Sequence, residues 1–390
     1  MFLTHLSLQN FRSYTKSSFD FTDNTTVIIG PNTAGKSNLM EAIFLLASGK
    51  SFRAEKKEMM IKFGKEMARV KGKIVSSSKP SPSEGEGGGE GATLEVMLTT
   101  GQVQGIKTPL TRYLVNDVPK RRVDFAGILS AVLFAPSDLE IIIDGPSLRR
   151  EFLNQVLEQV SLEYRQAFVQ YEKGLRQRNA LLEIIRETGN PSQYRSGQGE
   201  QQLDYWSELL IRNGQILTKK RDEFLSFAND AKKELFQFRV EYDRSEISEK
   251  RLEQYAREEV AAASTLVGPH RDDFQVLMNS SSSPSPSRER AQGEGADIRF
   301  FGSRGQQRLA ILQLKLMQID YIEKMRGERP LLLLDDIFSE LDEGHIQHVL
   351  GIVDKQQTVL TTTHREFLSQ RSLRDMAVVE LGESSKERSA

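Results

Sequence analysis

The chain has 390 residues, of which 38% are hydrophobic and 27% charged, an ordinary balance for a globular protein of two or three compact units. Its 53 basic and 54 acidic residues nearly cancel, so binding to nucleic acid would need a local basic patch. Cysteine is absent, which excludes disulfides, thiolate catalysis and cysteine-ligated zinc. No signal-peptide pattern and no membrane-spanning apolar run is present, so we expect a cytoplasmic protein without a membrane partner.

The strongest motif lies near the amino terminus, where a β-branched strand, Thr25 to Ile29, leads into the segment GPNTAGKSN. This segment has the spacing GxxxxGK[ST] between a strand and a helix, which is the context of a phosphate-binding Walker A loop. Its glycines let backbone N–H groups surround a phosphate, and the start of the helix adds positive charge. We expect Lys36 to reach the β and γ phosphates of ATP and Ser37 to bind Mg²⁺. The predicted nucleotide-binding residues are Gly30, Pro31, Asn32, Thr33, Ala34, Gly35, Lys36, Ser37 and Asn38.

Two segments, 76–91 and 280–295, are rich in Ser, Pro, Gly and Glu. Such tracts bury almost no apolar surface, and each lies between two strand-like stretches. We therefore expect flexible hairpin tips in two sheets rather than domain boundaries. Inert surface insertion and docking of a partner are the alternative roles.

Between 148 and 262, apolar residues recur at spacings of three and four, which predicts long charged helices. The turn-rich stretch TGNPSQYRSGQGEQQ divides the pattern, so two helices folded back on each other are expected. The flanking regions, 1–147 and 263–390, are rich in strands and turns. We expect them to form the two parts of one globular head, into which the helical arm is inserted.

Basic residues recur through the first two thirds of the chain. Because glutamates alternate with these residues, each group is interpreted as part of a solvated helix face. Several of the groups would have to converge to form a surface for a DNA backbone. No motif for reading bases is present, so recognition of the backbone is expected. These residues are Arg121, Arg122, Arg149, Arg150, Arg176, Arg178, Lys219, Lys220, Arg221, Lys232 and Lys233.

The segment LVGPHRDDF at 266–274 combines a predicted turn, Gly268 and Pro269, with polar residues beyond what a turn needs. His270, followed by two aspartates, raises the question of a metal site. No second histidine lies near it in the sequence, which disfavours this interpretation.

Four consecutive leucines, Leu331 to Leu334, are followed by Asp335 and Asp336. A fully apolar run of this length favours a central parallel strand, and open α/β sheets bind ligands at the carboxyl ends of their strands. We expect Asp335 to bind Mg²⁺ directly or through another ligand. Asp336 is the candidate base or water-positioning residue for ATP hydrolysis.

Together these motifs resemble those of ABC-type head ATPases. The segment GSRGQ at 302–306 resembles their signature, which begins a helix before the second acidic strand, and SELD at 339–342 resembles the D-loop. The resemblance implies that the signature of one copy contacts the nucleotide held by another copy, and that the D-loop aspartate and a switch histidine complete the site. The residues concerned are Ser303, Arg304, Gly305, Gln306, Asp342 and His364, for the last of which a surface histidine is the alternative.

Within that class the chain is similar to the RecF family. The segments that carry the similarity are LQNFRSY, LFAPSDLEIIIDGPSLRREFLN, LVGPHRDDF, SRGQQR and LLLLDDIFSELD. The resemblance implies an α/β ABC-type head, a P-loop NTPase mixed sheet plus an antiparallel sheet, with an inserted α-helical lobe. It also implies that Arg12 reaches nucleotide or DNA, as in SMC-like heads, with a surface arginine as the alternative.

The same resemblance implies a weak, DNA-stimulated ATPase of replication, recombination and the SOS response that requires Mg²⁺. Such a protein would form an ATP-dependent homodimer that clamps DNA at single-strand gaps or junctions. It would promote loading of a recombinase together with a RecR-like mediator.

This chain departs from the family pattern in three places. Thr33 and Ala34 stand where the family favours glycine and a polar residue, the two low-complexity insertions are unusual, and His364 follows TTT where the family usually lacks histidine. Three other classes share parts of the pattern: the nucleotide-binding subunit of an ABC transporter, an SMC-like tether and an SMC-like defence ATPase. The helical arm disfavours the first, its short length the second, and the absence of a recognisable effector segment the third.

Overall fold

The computed structural model describes residues 1–76, 91–188, 198–278, 295–337, 351, 353, 355–363 and 376–382. The strands in these ranges form two large sheets and two small ones. They are β1 (Phe2–Phe11), β2 (Tyr14–Asp20), β3 (Thr25–Ile29), β4 (Met67–Val75), β5 (Gly91–Thr99), β6 (Gln102–Val103), β7 (Ile106–Lys107), β8 (Thr111–Val115), β9 (Val118–Lys120), β10 (Ala131–Phe134), β11 (Phe238–Asp243), β12 (Asp273–Met278), β13 (Ala296–Asp297), β14 (Leu331–Asp335), β15 (Thr358–Thr362) and β16 (Ala377–Glu380).

The α-helices range from single turns to more than thirty residues. They are α1 (Lys36–Ser48), α2 (Arg122–Phe125), α3 (Glu140–Ile143), α4 (Pro146–Val160), α5 (Leu162–Thr188), α6 (Gln198–Asp230), α7 (Glu249–Gln254), α8 (Ala256–Ala262), α9 (Ile298–Phe301) and α10 (Arg304–Arg326). Within the described ranges, none is long and apolar enough to cross a membrane.

The first large sheet has the order β10-β14-β15-β3-β16, and all its strand pairs are parallel. The predicted strand of four leucines is β14, which pairs on both sides and is buried along its whole length. Strand β3, which precedes the Walker loop, pairs with β15 and β16. The carboxyl ends of β3 and β14 therefore lie at the same edge of the sheet, separated by one strand.

The second large sheet is antiparallel and has the order β2-β1-β4-β5-β8-β9. Helix α1 contacts strands of both large sheets, and almost all of its residues are buried. Gly72 permits this close packing, because a Cβ there would lie 2.6 Å from Leu46 Cδ1. The two sheets with α1 form the α/β head predicted from the sequence.

The strands that flank each low-complexity segment pair with each other. Strand β4 pairs with β5 from Met67 to Val75, and β12 pairs with the short strand β13. The predicted strand after the second segment is wrong beyond Asp297, because α9 begins there and Asp297 caps it by accepting the backbone N–H of Arg299. The segments themselves lie almost wholly outside the described residues.

The first of the two long helices predicted between 148 and 262 is interrupted. Ser161 adopts extended backbone between α4 and α5, and its hydroxyl accepts the N–H of Tyr164 at 3.1 Å. Ser161 is thus a helix N-cap, which ends one helix and begins the next. The sequence pattern did not reveal this break because apolar spacing continues across it.

The chain divides into two compact units, one of 1–138 with 318–390 and one of 139–317. The second unit contains the helical arm together with the three-stranded sheet β11-β12-β13. This division places 263–317 with the arm, whereas the sequence analysis assigned that segment to the head. The reason is that β12 pairs with β11 and contacts α4.

Four of the basic residues interpreted as solvated are buried, so that interpretation is wrong for them. Three are arginines that form ion pairs with carboxylates, and the fourth is a lysine that donates to backbone carbonyls of Asn229 and Ala231. Each lies on the inner side of its segment, where the charge needs a partner. The four residues are Arg149, Arg178, Arg221 and Lys233.

Candidate nucleotide-binding site

The Walker loop joins β3 to α1 in the first unit. Gly35 has φ 103°, and a Cβ at this position would lie 2.9 Å from the hydroxyl oxygen of Tyr14. That hydroxyl donates to the Gly35 carbonyl at 3.1 Å. Thr33, one of the departures from the family pattern, has φ 74°, a left-handed conformation that glycine adopts more readily. The loop keeps its turn there despite the added side chain.

Lys36 lies at the start of α1 and is buried. Its ammonium donates to the carbonyls of Gly30 at 2.7 Å and Pro31 at 3.0 Å, so it folds back over its own loop. Burial lowers the pKa of Lys36, and the charges of Asp336 and Asp335 act in the opposite direction. The lysine and the two acids predicted for the site are therefore close enough to interact.

Thr361, near the end of β15, organises the two acids. Its hydroxyl donates to Asp335 Oδ1 at 2.7 Å and accepts the backbone N–H of Asp336 at 3.0 Å. Asp335 is buried, whereas Asp336 is half-buried and has φ 51°. A left-handed backbone at a residue other than glycine costs free energy and is concentrated at functional sites. No sequence motif marked Thr361, although its place at the end of a buried run of the parallel sheet, where ligands bind, is a usable signal.

Oxygen donors that suit Mg²⁺ are present in the predicted places. Ser37 follows Lys36 at the start of α1, and the Oδ2 atom of Asp335 forms no hydrogen bond with a described residue. Hydroxyl and carboxylate oxygens, together with phosphates, are the ligands that Mg²⁺ prefers. The donor set at this edge of the sheet therefore fits the metal that the sequence implied.

Glu41 is a fully buried acid on α1 that the sequence analysis did not single out. It accepts two hydrogen bonds of 2.7 Å from Arg12, bonds from Arg53 at 2.9 and 3.1 Å, and one from Ser51 at 2.5 Å. Burial alone would raise the pKa of Glu41, but the bonds from Arg12 and Ser51 and the charge of Arg53 hold it below its usual value. A buried acid within the Walker helix requires such cations, so its position was itself a signal.

Arg12 thus holds the Walker helix as well as lying near the predicted site. Besides its bonds to Glu41, it donates to the carbonyl of Met59 at 2.6 Å. Asn38 lies beside this cluster, where it donates to Ser13 at 2.8 Å and accepts from Arg53. A cleft of about 570 Å³ adjoins Arg12, Ser13 and Asn38. The fully exposed ring of Phe63 lines the same cleft.

The signature-like segment belongs to the second unit, where it begins α10. The backbone N–H of Ser303 donates to Gln306 Oε1 at 2.8 Å, and the N–H of Gln306 donates to Ser303 Oγ at 3.3 Å. This reciprocal pair is a capping box, which gives the serine and the glutamine a local role that the sequence analysis missed. Ser303, Arg304 and Gly305 are exposed, as expected for a contact with another molecule.

Comparison with known proteins agrees with these features. Residues 2–385 match the model of the RecF/RecN/SMC N terminal domain. A DNA replication and repair protein RecF from Geobacillus sp. (strain WCH70) is 33% identical, in a match that covers 97% of this chain and 96% of the relative. The chain belongs to the RecF family. A RecF from Bacillus cereus (strain G9842) is 32% identical with the same coverage.

Two solved RecF structures also resemble the chain over most of its length. One, of the recombination mediator protein RecF with ATP in the RecFOR pathway, is 30% identical with a TM-score of 0.77 and covers 93% of this chain and 92% of its own. The other, RecF-ATPrS, is 29% identical with the same TM-score and covers 94% and 93%. The ABC-type head predicted from the sequence is thereby confirmed as the fold.

Two predicted RecF-family site residues, Asp342 and His364, lie outside the described residues. The structure therefore brings together Lys36, Asp335 and Asp336 in the first unit and places Ser303 to Gln306 in the second. Their predicted roles in ATP binding stay predictions.

The segment LVGPHRDDF of this RecF-family chain has its own polar network. His270 Nε2 donates to the Thr265 carbonyl at 3.0 Å, and its Nδ1 accepts the hydroxyl of Tyr171 at 2.7 Å. Both ring nitrogens are engaged, and Asp272 and Asp273 pair with arginines. In the part of the chain that the structure describes, no group of three or more potential metal-binding side chains occurs. These bonds hold the loop in place.

Proposed function

We propose that this chain is an ATP-dependent DNA-binding protein of replication and recombinational repair. ATP joins two copies head to head, and slow, DNA-stimulated hydrolysis releases them. The observation that carries the proposal is that Lys36 interacts with the charges of Asp335 and Asp336, two acids that the hydroxyl of Thr361 holds together. Membership of the RecF family and the names of its relatives support the link to DNA and to ATP.

In this proposal the ammonium of Lys36 breaks its hydrogen bonds to the loop carbonyls when ATP binds. It then donates the same protons to the β and γ phosphates. Bound Mg²⁺, held by Ser37 and Asp335, would neutralise part of the phosphate charge. Thr361 fixes Oδ1 of Asp335 by a hydrogen bond and leaves Oδ2 for the metal. Asp336, whose backbone is held by the same hydroxyl, orients the attacking water and accepts its proton.

The exposed start of α10 supports a contact made by a second copy. A Cβ at Gly305 would meet only the Ser303 hydroxyl, at 4.0 Å, so packing within the described chain does not require glycine there. A phosphate that approaches the backbone closely does require it. We therefore propose that Ser303, Arg304, Gly305 and Gln306 bind the γ-phosphate held by the other protomer, with Asp342 and His364 adjoining it.

The further steps follow from the family. We propose that the dimer acts in the cytoplasm, clamps duplex DNA at single-strand gaps or junctions, and promotes recombinase loading with a RecR-like mediator. The relatives that support this are a DNA replication and repair protein and a recombination mediator. The regions proposed as head and arm, 1–147 with 263–390 and 148–262, would supply the nucleotide site and part of the DNA surface.

The test is to measure the ATPase rate and the oligomeric state with and without duplex DNA. Wild type is expected to dimerise with ATP and to hydrolyse it faster when DNA is present. Lys36→Ala should lose ATP binding, and Asp336→Asn should bind ATP and dimerise but turn over at least about 100-fold more slowly. If duplex DNA changes neither the ATPase rate nor the affinity between two ATP-bound copies, the proposed function is wrong.

A further inference from the structure

Where the loop Gly268–Asp272 meets the start of helix α4, four arginines lie around two acids, Asp272 and Asp273. Asp273 is engaged twice by Arg149, at 2.6 and 3.0 Å. Asp272 is fully buried and is engaged by Arg221 at 2.9 Å, by the hydroxyl of Tyr242, and by the backbone N–H of Ser245 at 2.7 Å. Two arginines of the cluster, Arg150 and Arg271, are left without a carboxylate of their own among the described residues.

Arg150 and Arg271 make only backbone contacts. Arg150 Nη1 donates to the Asp272 carbonyl at 2.9 Å, and Arg271 Nη2 reaches the Thr265 carbonyl at 3.4 Å. Burial lowers the pKa of Arg150, and the charges of Arg221 and Arg271 act in the same direction, against those of the two aspartates. Arg150 thus bonds to the backbone of the residue that follows Arg271, and the charge of Arg271 acts on it. Each of the two arginines retains donors that no carboxylate among the described residues satisfies.

The buried network keeps this arrangement rigid. Arg221 donates to the carbonyl of Pro269 at 2.6 Å as well as to Asp272, and His270 is held on both ring nitrogens. Gly268 has φ 126°, and a Cβ there would lie 2.3 Å from the Tyr171 hydroxyl. The loop therefore presents Arg271 to solvent from a fixed backbone, which lowers the entropy lost when a ligand binds.

We propose that Arg150 and Arg271 form a binding site for a backbone phosphate of DNA. A phosphodiester relieves the repulsion between two neighbouring guanidiniums and accepts their forked N–H groups in charge-assisted hydrogen bonds. The inference rests on the proposed function, because it assigns a contact for the DNA that the ATP-bound dimer holds. It differs from the nucleotide site, whose loop and acids belong to the first unit.

The test measures DNA affinity at saturating ATP over a salt series, by fluorescence anisotropy of a labelled duplex. Arg271→Gln, at an exposed position, and Arg150→Gln with Arg271→Gln are compared with wild type. Loss of the phosphate contact should weaken DNA binding roughly tenfold near 0.1 M salt. The logarithm of the association constant falls linearly with the logarithm of the salt concentration, and this decline should become less steep by about one unit of slope. The loss should be the same for unrelated duplex sequences, since a backbone contact does not read bases.

Arg257→Gln is the matched control, because it removes the same charge from another exposed arginine of the second unit. It should leave the affinity and the salt slope close to wild type. If the double variant keeps both wild-type values while wild type binds DNA, the assigned site is wrong and the proposed function stands. If wild type itself does not bind DNA with ATP, both are wrong. Weakened ATP binding without DNA, at an unchanged salt slope, would indicate a mononucleotide site and overturn the inference.

Discussion

At the scale of single residues, one hydroxyl connects both acids of the nucleotide site. Thr361 donates to Asp335 and accepts from the backbone of Asp336, whose left-handed conformation it helps to hold. An acid that binds a metal or orients water works only in a fixed position, and the groups that fix it matter nearly as much as the acid. The predicted pair of acids thus depends on a third residue from a neighbouring strand.

Thr361→Val keeps the shape of the side chain and removes the hydroxyl. We expect the turnover number for ATP to fall by about 10- to 100-fold, with a smaller change in ATP affinity, because Lys36 and the loop remain. Thr361→Ser keeps the hydroxyl and should stay within a few-fold of wild type. Steady-state kinetics with a separate binding measurement distinguish the two effects. A wild-type turnover number for Thr361→Val would show that the hydroxyl has no such role.

His270 gives a prediction for pH. Burial lowers its pKa to about 4, and the neighbouring charge of Arg271 acts in the same direction. The folded chain therefore binds this proton less readily than the unfolded chain, in which histidine titrates near 6.5. The stability that neutral His270 provides is complete above about pH 6.5 and is lost as the pH falls toward 4, by roughly 3 kcal/mol.

Urea unfolding of wild type and His270→Gln at several pH values between these limits checks this prediction. The difference between their free energies of unfolding should shrink as the pH falls, since only wild type carries the histidine. Other titrating groups are common to both proteins and cancel in the difference. A difference that is constant with pH would mean that His270 does not titrate as inferred.

At the scale of secondary structure, the start of α10 has an observed role as a helix cap and a proposed role in binding a phosphate, and a charged side chain can separate the two. Ser303 and Gln306 cap the helix, while Gly305 and the exposed position of the segment suit a phosphate from outside. Hydrogen bonds explain the cap, and packing explains the buried inner face of the helix. Neither explains why residue 305 is glycine. A substitution that retains the cap and repels phosphate can therefore test the proposed role alone.

Ser303→Asp is such a substitution. Aspartate caps helices as well as serine and interacts favourably with the helix dipole, so thermal stability should be unchanged or slightly raised. Its carboxylate would repel a γ-phosphate, so ATP-driven dimerisation should be lost in sedimentation velocity. Ser303→Ala, which loses about 1 kcal/mol of capping without adding charge, is the comparison. Normal dimerisation of Ser303→Asp with ATP would contradict the role of this segment.

Sequence patterns predicted the elements whose signal is local. Strand β3, the start of α1 and the buried strand β14 follow from β-branched, glycine and leucine runs, and the structure confirms them. The buried state of Arg221 was missed because its partner Asp272 lies 51 residues away. Alternating charge indicates a solvated face only where no distant acid reaches the helix.

At the scale of the whole molecule, both ends of the chain build the first unit, and the middle forms the second. The Walker loop and the acids belong to the first unit, and the signature-like segment and the proposed phosphate site belong to the second. Motif order identified the RecF family over nearly the whole length, since each motif has its own local pattern. The pairing of segments between two copies does not follow from one sequence, and it is the central claim of the proposed function.

Mixing two inactive variants tests that claim most directly. Lys36→Ala lacks a working Walker loop and Ser303→Asp lacks a working signature, so each alone should hydrolyse almost no ATP. In a heterodimer, the Walker loop of one variant meets the intact signature of the other. Neither variant is expected to form an ATP-bound homodimer, so the ATP-bound dimers of an equal mixture are mixed ones. Each has one complete site of the two in a wild-type dimer, and the mixture should therefore recover up to about half of the wild-type ATPase rate. A mixture no more active than the separate variants would contradict a site shared between two copies.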